Sequence, residues 1–111
     1  MTAPTDTLNA LYQTLQSRKT AAADQSYVAS LYKKGLDVIL KKVGEECAET
    51  IVAAKNTDTH ALAGELADLW FHTLVLMAAK DLPLSAVTDE LARRMGTSGL
   101  TEKANRKHSG E

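Results

Sequence analysis

The sequence predicts an all-α fold, a four-helix bundle, on three observations. Prolines stand only at positions 4 and 83, so the long stretch between them is free to be helical. Aromatic residues make up 5% of the chain, which gives strands little support. Apolar residues recur at i, i+3, i+4 and i+7 through four segments, the period of a helix with one buried face.

The first segment covers about 6–19, with Leu8, Leu11, Tyr12 and Leu15 on one face, and the polar stretch "KTAAADQS" interrupts it. The second runs from about Tyr27 to Lys55, and Gly35 is where it would break. Its apolar arc is Leu36, Ile39, Leu40, Val43, Cys47, Thr50 and Ile51. Asn56 reads as a stop, because Asn tolerates the left-handed conformation that follows helix ends. Thr57, Asp58 and Thr59 offer caps for the next start. The third segment, about 59–80, is apolar on one face through Leu62, Leu66, Leu69, Thr73 and Met77. Its C-terminal half is apolar nearly all round (Trp70, Phe71, Leu74, Val75, Leu76, Met77), as expected of a helix central in a bundle or buried between subunits. "DLP" at 81–83 turns the chain into a fourth helix of about 84–95, which ends at Gly96.

The 111 residues form one domain, 1–111, of which about 97–111 is a polar C-terminal tail. A chain of this size buries roughly two-thirds of its unfolded surface. A net charge of −1 gives no electrostatic case for nucleic acid or an anionic membrane as partner. The longest apolar run, "LVLMAA", is too short to span a bilayer, and "MTAPTDTLNA" has no basic region followed by an apolar one. A cytoplasmic protein is expected. Cys47 is the single cysteine, which excludes an intrachain disulfide and a cysteine zinc site. A lone Cys in a helix repeat is expected to be a small buried hydrophobe.

Against this ordinary background, "KKVGEECAET" (41–50) places Glu45, Glu46 and Glu49 within five positions, and "GELADLWFH" (64–72) adds Glu65 and Asp68 at the same spacing of three. On a helical wheel Glu49 lies about 60° from Glu46, and Asp68 about 60° from Glu65. Each pair flanks its helix's apolar arc. Two helices joined by so short a connection pack antiparallel. Glu49 and Glu65 each stand eight residues from Thr57 at the turn, and Glu46 and Asp68 each eleven. Equal distance from the turn means equal height, so Glu49 should face Glu65 and Glu46 should face Asp68.

Four carboxylates at one level repel unless a cation joins them. Oxygen ligands alone suit a hard ion, and Mg²⁺ characteristically completes such a set with waters and substrate phosphates. A single Glu-x-x-Glu is more often a solvated face paired with lysines such as Lys41, Lys42 or Lys55. The match of two motifs in spacing, angle and distance from the turn favours the metal site. His72 reads as a hydrogen-bonded, half-buried residue, and Trp70 and Phe71 as core or interface. Gly44 either serves a close backbone approach or has no role; inside a helix it costs up to about 1 kcal/mol relative to Ala.

Glu45-Glu46-x-x-Glu49 followed by Glu65-x-x-Asp68 resembles the EExxE…ExxD signature of the all-α nucleoside triphosphate pyrophosphohydrolases, the MazG-like superfamily. More of the chain is similar to the phosphoribosyl-ATP pyrophosphohydrolase family of histidine biosynthesis. The similar stretches are "SRK" (17–19), "SYVASLYKKG" (26–35), "ILKKVGEECAE" (39–49), "AAKN" (53–56), "ELADLWFHTLVLMA" (65–78), "ELARR" (90–94) and "SGLTEKANRK" (98–107). Two departures, Cys47 in place of Ala and the lack of a proline in "TAAADQ", touch no ligand.

The resemblance implies Mg²⁺-dependent hydrolysis of phosphoribosyl-ATP to phosphoribosyl-AMP and pyrophosphate by a bundle completed through dimerisation. It implies Glu46, Glu49, Glu65 and Asp68 as metal ligands, with Glu45 either orienting a ligand or acting as base. Lys34 and Lys42 match phosphate-binding positions, and Arg93 and Lys103 are candidates for the phosphoribosyl end; Lys33 and Lys41 read as surface residues. Three other readings remain: a housekeeping (d)NTP pyrophosphatase of the same superfamily, a carboxylate-bridged di-iron bundle, and a non-catalytic helical dimerisation module. The di-iron reading is weakened because neither Glu46 nor Glu65 begins a Glu-x-x-His motif.

Overall fold

The computed structural model describes residues 3–96 together with 103, 104 and 106, and contains no strand among them. Five helices follow in order: α1 (Pro4–Ser17), α2 (Tyr27–Lys34), α3 (Leu36–Ala54), α4 (Thr59–Ala79) and α5 (Leu84–Met95), with a single 3₁₀ turn at Arg18–Thr20. The expected second helix is therefore two. Gly35 divides them with φ 104°, a conformation that a side chain opposes and glycine accepts.

Local chemistry sets most of the boundaries. Pro4 sits in the first turn of α1, where its missing N–H costs nothing, and Asp6 complements the helix dipole there. The Ser26 hydroxyl accepts the Ala29 N–H at 3.2 Å and starts α2. Asp58 caps α4, its carboxylate accepting from the His60 and Ala61 N–H groups at 3.0 and 3.1 Å. Asn56 is not left-handed as expected. The last turn of α3 closes instead through Lys55 N–H to Val52 C=O and Asn56 N–H to Ala53 C=O. Among the described non-glycine residues the left-handed one is Asp81 (φ 54°), which lets the Leu82 N–H reach back to Met77 C=O at 2.9 Å and stop α4.

The core lies at the C-terminal half of α4. Leu15, Leu31, Ile39 and Val75 are fully enclosed, and Val28, Leu74, Met77 and Ala78 complete the cluster. Polar ties close its edges: Tyr32 Oη donates to Leu15 C=O at 2.8 Å, Tyr12 Oη to Leu82 C=O at 2.6 Å, and Lys19 pairs with Asp81 at 2.6 Å. By length and composition alone α4 is apolar enough to cross a bilayer, although its longest unbroken apolar run is short; in the fold α3 and α1 pack on it, and α2 packs on α3.

The apolar arc of α3 is only partly used. Ile39 is buried and Val43 half-buried, but Leu36, Leu40 and Ile51 are exposed. Cys47, expected inside, is exposed as well. It lines an apolar groove of about 450 Å³ with Leu8, Val43, Leu69, Trp70 and Leu91. α3 and α4 pack along each other more extensively than any other pair, whereas α5 touches the body only sparsely. The radius of gyration, 16.3 Å, exceeds the roughly 13 Å expected of a closed domain of this length.

Candidate active site

The α3–α4 hairpin brings three of the four expected ligands together. One carboxylate oxygen each from Glu46, Glu49 and Glu65 lie within 4.8 Å of one another. The register is the expected one: Thr50, next to Glu49, directs its hydroxyl to Glu46 C=O at 2.8 Å and toward Glu65 C=O across the helix pair at 3.4 Å. Asp68 is exposed and outside this tight group, but its charge reaches both Glu46 and Glu65.

The cluster is held in an unfavourable state. Glu46 is 7% exposed, and Oε2 of both Glu46 and Glu65 is buried with no hydrogen-bond partner. Loss of solvent, the adjacent Glu49 carboxyl and the charge of Asp68 raise the pKa of Glu46 and of Glu65 above the ordinary carboxylate value; the nearby His72 opposes this at Glu46. Buried oxygens without donors, converging on one point with excess negative charge, are a donor set that fits a hard divalent cation.

The remaining candidates separate into near and far. Lys42 lies beside the acids, its Nζ 3.1 Å from Glu45, and Lys41 reaches the same carboxylate at 4.0 Å. Glu45 is thus paired with lysines and stands apart from the convergent trio. The contact with Glu45, and more weakly the neighbouring Tyr27 and Glu46, raise the Lys42 pKa, so Lys42 is a firm cation. Lys34 ends α2 beside Gly35, roughly three turns of α3 below Glu46. Arg93 lies on α5 and pairs with Glu90 at 2.6 Å. Lys103 is helical and exposed, while residues 97–102, 105 and 107–111 of the polar tail lie outside the described residues. Gly44 has open space where a side chain would project, so no close approach among the described residues requires it.

His72 is hydrogen-bonded, as its sequence context led one to expect, and more deeply enclosed than half-buried: it is 6% exposed, bonded to Tyr27 Oη at 2.9 Å and to Asp68 C=O at 2.8 Å. Its partner Tyr27, 45 residues away, carries no signal in the sequence.

An all-α hairpin that opposes Glu-Glu-x-x-Glu to Glu-x-x-Asp defines the class of all-α pyrophosphohydrolases. The chain belongs, within that class, to the phosphoribosyl-ATP pyrophosphohydrolase family, whose model matches residues 8–95. A phosphoribosyl-ATP pyrophosphatase of Methylococcus capsulatus is 55% identical over 102 residues, 92% of this chain and 97% of its own. One from Vesicomyosocius okutanii subsp. Calyptogena okutanii is 56% identical over 96 residues (86% and 91%), and one from Trichlorobacter lovleyi 56% identical over 100 (90% and 93%).

Proposed function

We propose that this protein is a Mg²⁺-dependent homodimeric hydrolase that converts phosphoribosyl-ATP to phosphoribosyl-AMP and pyrophosphate, the second step of histidine biosynthesis. The activity follows from the family and from relatives of that name that align over nearly their full length. The observation that carries the mechanism is the convergence of Glu46, Glu49 and Glu65 with two buried oxygens lacking partners. Those three residues, with Asp68 from its exposed position on α4, would hold the cation. A Mg²⁺ bound there would supply charge neutralisation for phosphate oxygens and acidify a water molecule. Lys42, kept protonated beside the acids, binds a phosphate oxygen as a point charge. Glu45 restrains Lys42 until substrate competes for it. Water adds across the α–β anhydride: its oxygen bonds to one phosphorus, the bridging oxygen stays with the other, the released proton passes to solvent, and pyrophosphate leaves.

Homodimerisation is supported by the unpaired apolar face. Ile51 and Val52 are each 65% exposed and Trp70 57%, on the same hairpin that carries the acids. Large apolar side chains left exposed together mark an interaction surface. A second copy is the occupant we propose. The reading keeps a cytoplasmic setting and a small-molecule substrate, in line with the net charge of −1.

Pyrophosphate release from phosphoribosyl-ATP and from a panel of dNTPs, with Mg²⁺ and with EDTA, tests the activity. Turnover of phosphoribosyl-ATP that stops in EDTA is the expected result. Turnover of dNTPs alone would keep the site and discard the substrate, leaving the housekeeping reading.

A further inference from the structure

Tyr27 and His72 are 45 residues apart in sequence, yet their side chains meet at 2.9 Å beside the acid cluster. The chemistry of the contact is determined by the other end of the imidazole. Nδ1 lies 2.8 Å from Asp68 C=O, an oxygen that can only accept, so Nδ1 carries the proton. At the other end of the ring Nε2 is hydrogen-bonded to the Tyr27 hydroxyl. The pair forms a continuous strut: Tyr27 Oη with His72 Nε2, then His72 Nδ1–H to the backbone C=O of Asp68.

Ring packing holds the strut at a fixed angle. His72 stands edge-on to Tyr27 and to Phe71, with centroids 5.9 and 5.2 Å away and planes at 86° and 81°, while Tyr27 stacks on Phe71 at 6.4 Å and 22°. His72 is buried, whereas Tyr27 is 50% exposed at the edge of the site. Tyr27 is the first residue of α2, Lys42 lies near it on α3, and Asp68 and His72 belong to α4. The strut therefore ties α2 to α4, with Lys42 of α3 near its Tyr27 end.

We propose that Tyr27 and His72 are positioning residues for the hydrolytic reaction: the phenol fixes α2 and the Lys42 side of the site, and the imidazole fixes the Asp68 backbone. Neither has to touch the reacting atoms. The proposal rests on the hydrolase reading above, and the two bonds of the strut have separable consequences.

Three single variants and one double separate them. Tyr27→Phe removes the hydroxyl and retains the stack on Phe71. His72→Asn keeps a donor at the Nδ1 position and loses the hydrogen-bond partner of Tyr27. His72→Gln keeps an amide at the Nε2 position, able to donate or accept, and loses the donor to Asp68. Steady-state hydrolysis of phosphoribosyl-ATP is measured for each at saturating Mg²⁺, together with the Mg²⁺ concentration giving half-maximal rate. Tyr27→Phe and His72→Asn should each raise KM about three- to tenfold, the range of one hydrogen bond, with the half-activating Mg²⁺ unchanged. The Tyr27→Phe/His72→Asn double variant should be no worse than either single, because both remove the same bond. His72→Gln should instead raise the half-activating Mg²⁺.

Lower melting temperatures with unmoved KM and Mg²⁺ response would overturn the proposal and leave a packing role. Effects of the two single variants that multiply in the double would also overturn it. Wild-type protein that fails to hydrolyse phosphoribosyl-ATP would bring down the hydrolase reading itself, and the proposal with it.

Discussion

The two halves of α4 have opposite fates. From His72 to Ala79 the helix is enclosed by α1, α2 and α3, and Val75 and Ala78 have no exposed surface. From Thr59 to Trp70 it is covered on one side only, by α3, and leaves Leu66 and Trp70 open. The first region is finished by the chain's own residues. The second carries the acids and an apolar surface that the described residues leave open. The difference places the stability of the single chain at one end of the molecule and the candidate site at the other, on the face where we propose that a second copy docks.

Truncation in the two regions should separate them most sharply. Leu31→Ala, in the closed core, should cost about 2–5 kcal/mol in denaturant unfolding. Ile51→Ala, on the open face, should cost the isolated chain within about 0.5 kcal/mol, as exposed positions do. Its effect should appear instead as a weaker dimer in light scattering at falling protein concentration. Equal loss of stability in the two variants would break the comparison.

Within the open region, Glu49→Gln should reduce Mg²⁺-dependent pyrophosphate release by at least about a hundredfold, since even outer partners of a metal ligand are worth 10–100-fold. Its circular dichroism should match wild type, because Glu49 is exposed and outside the core. A smaller loss of rate would remove Glu49 from the ligand set.

The pH dependence of the metal-free protein carries a definite sign. Glu46 and Glu65 have pKa values raised above 4.5 in the fold, so the folded chain binds protons that the unfolded chain has released. The stabilisation is complete below pH 4.5 and is lost as the pH rises through the raised values. The metal-free Tm should therefore fall as the pH climbs from 4.5 toward neutrality, and saturating Mg²⁺ should flatten the decline. Glu90 does not mimic this. Its hydrogen bonds to Arg93 and Arg94 lower its pKa to about 2, so its contribution is present above 4.5 and lost only in stronger acid. A metal-free Tm that rises over the same interval would contradict the strained state of the cluster.

The smallest expected effect belongs to Gly44. With open space around it, Gly44→Ala should stabilise α3 by about 0.5–1 kcal/mol through helix propensity. Destabilisation of the dimer by this change would show that the partner's backbone approaches there.

Much of the site was legible because it depends on local rules. Counting from Thr57 set the height of the acids, and the Thr50 hydroxyl bridging toward Glu65 C=O agrees with that count. The Asp58 cap and the end of α4 before Pro83 follow from residue type. What escaped depends on contacts between distant segments. Lys34, a phosphate-binding position by the resemblance, ends α2 at Gly35, roughly three turns of α3 from Glu46. The Tyr27–His72 bond has no periodic signature. The apolar arc of α3 was read correctly as an arc, yet periodicity says only that a face is apolar, and not whether its own chain or a second copy covers it.

The central claim is that the carboxylates of α3 and α4 exist to hold a divalent cation. Calorimetric titration of Mg²⁺ into the metal-free protein and into Glu65→Gln tests it most directly. The account predicts saturable binding by wild type, with proton release that grows as the pH is lowered toward the raised carboxylate values, and binding at least about tenfold weaker in the variant. Equal affinity in the two proteins, or no binding to wild type, would contradict it.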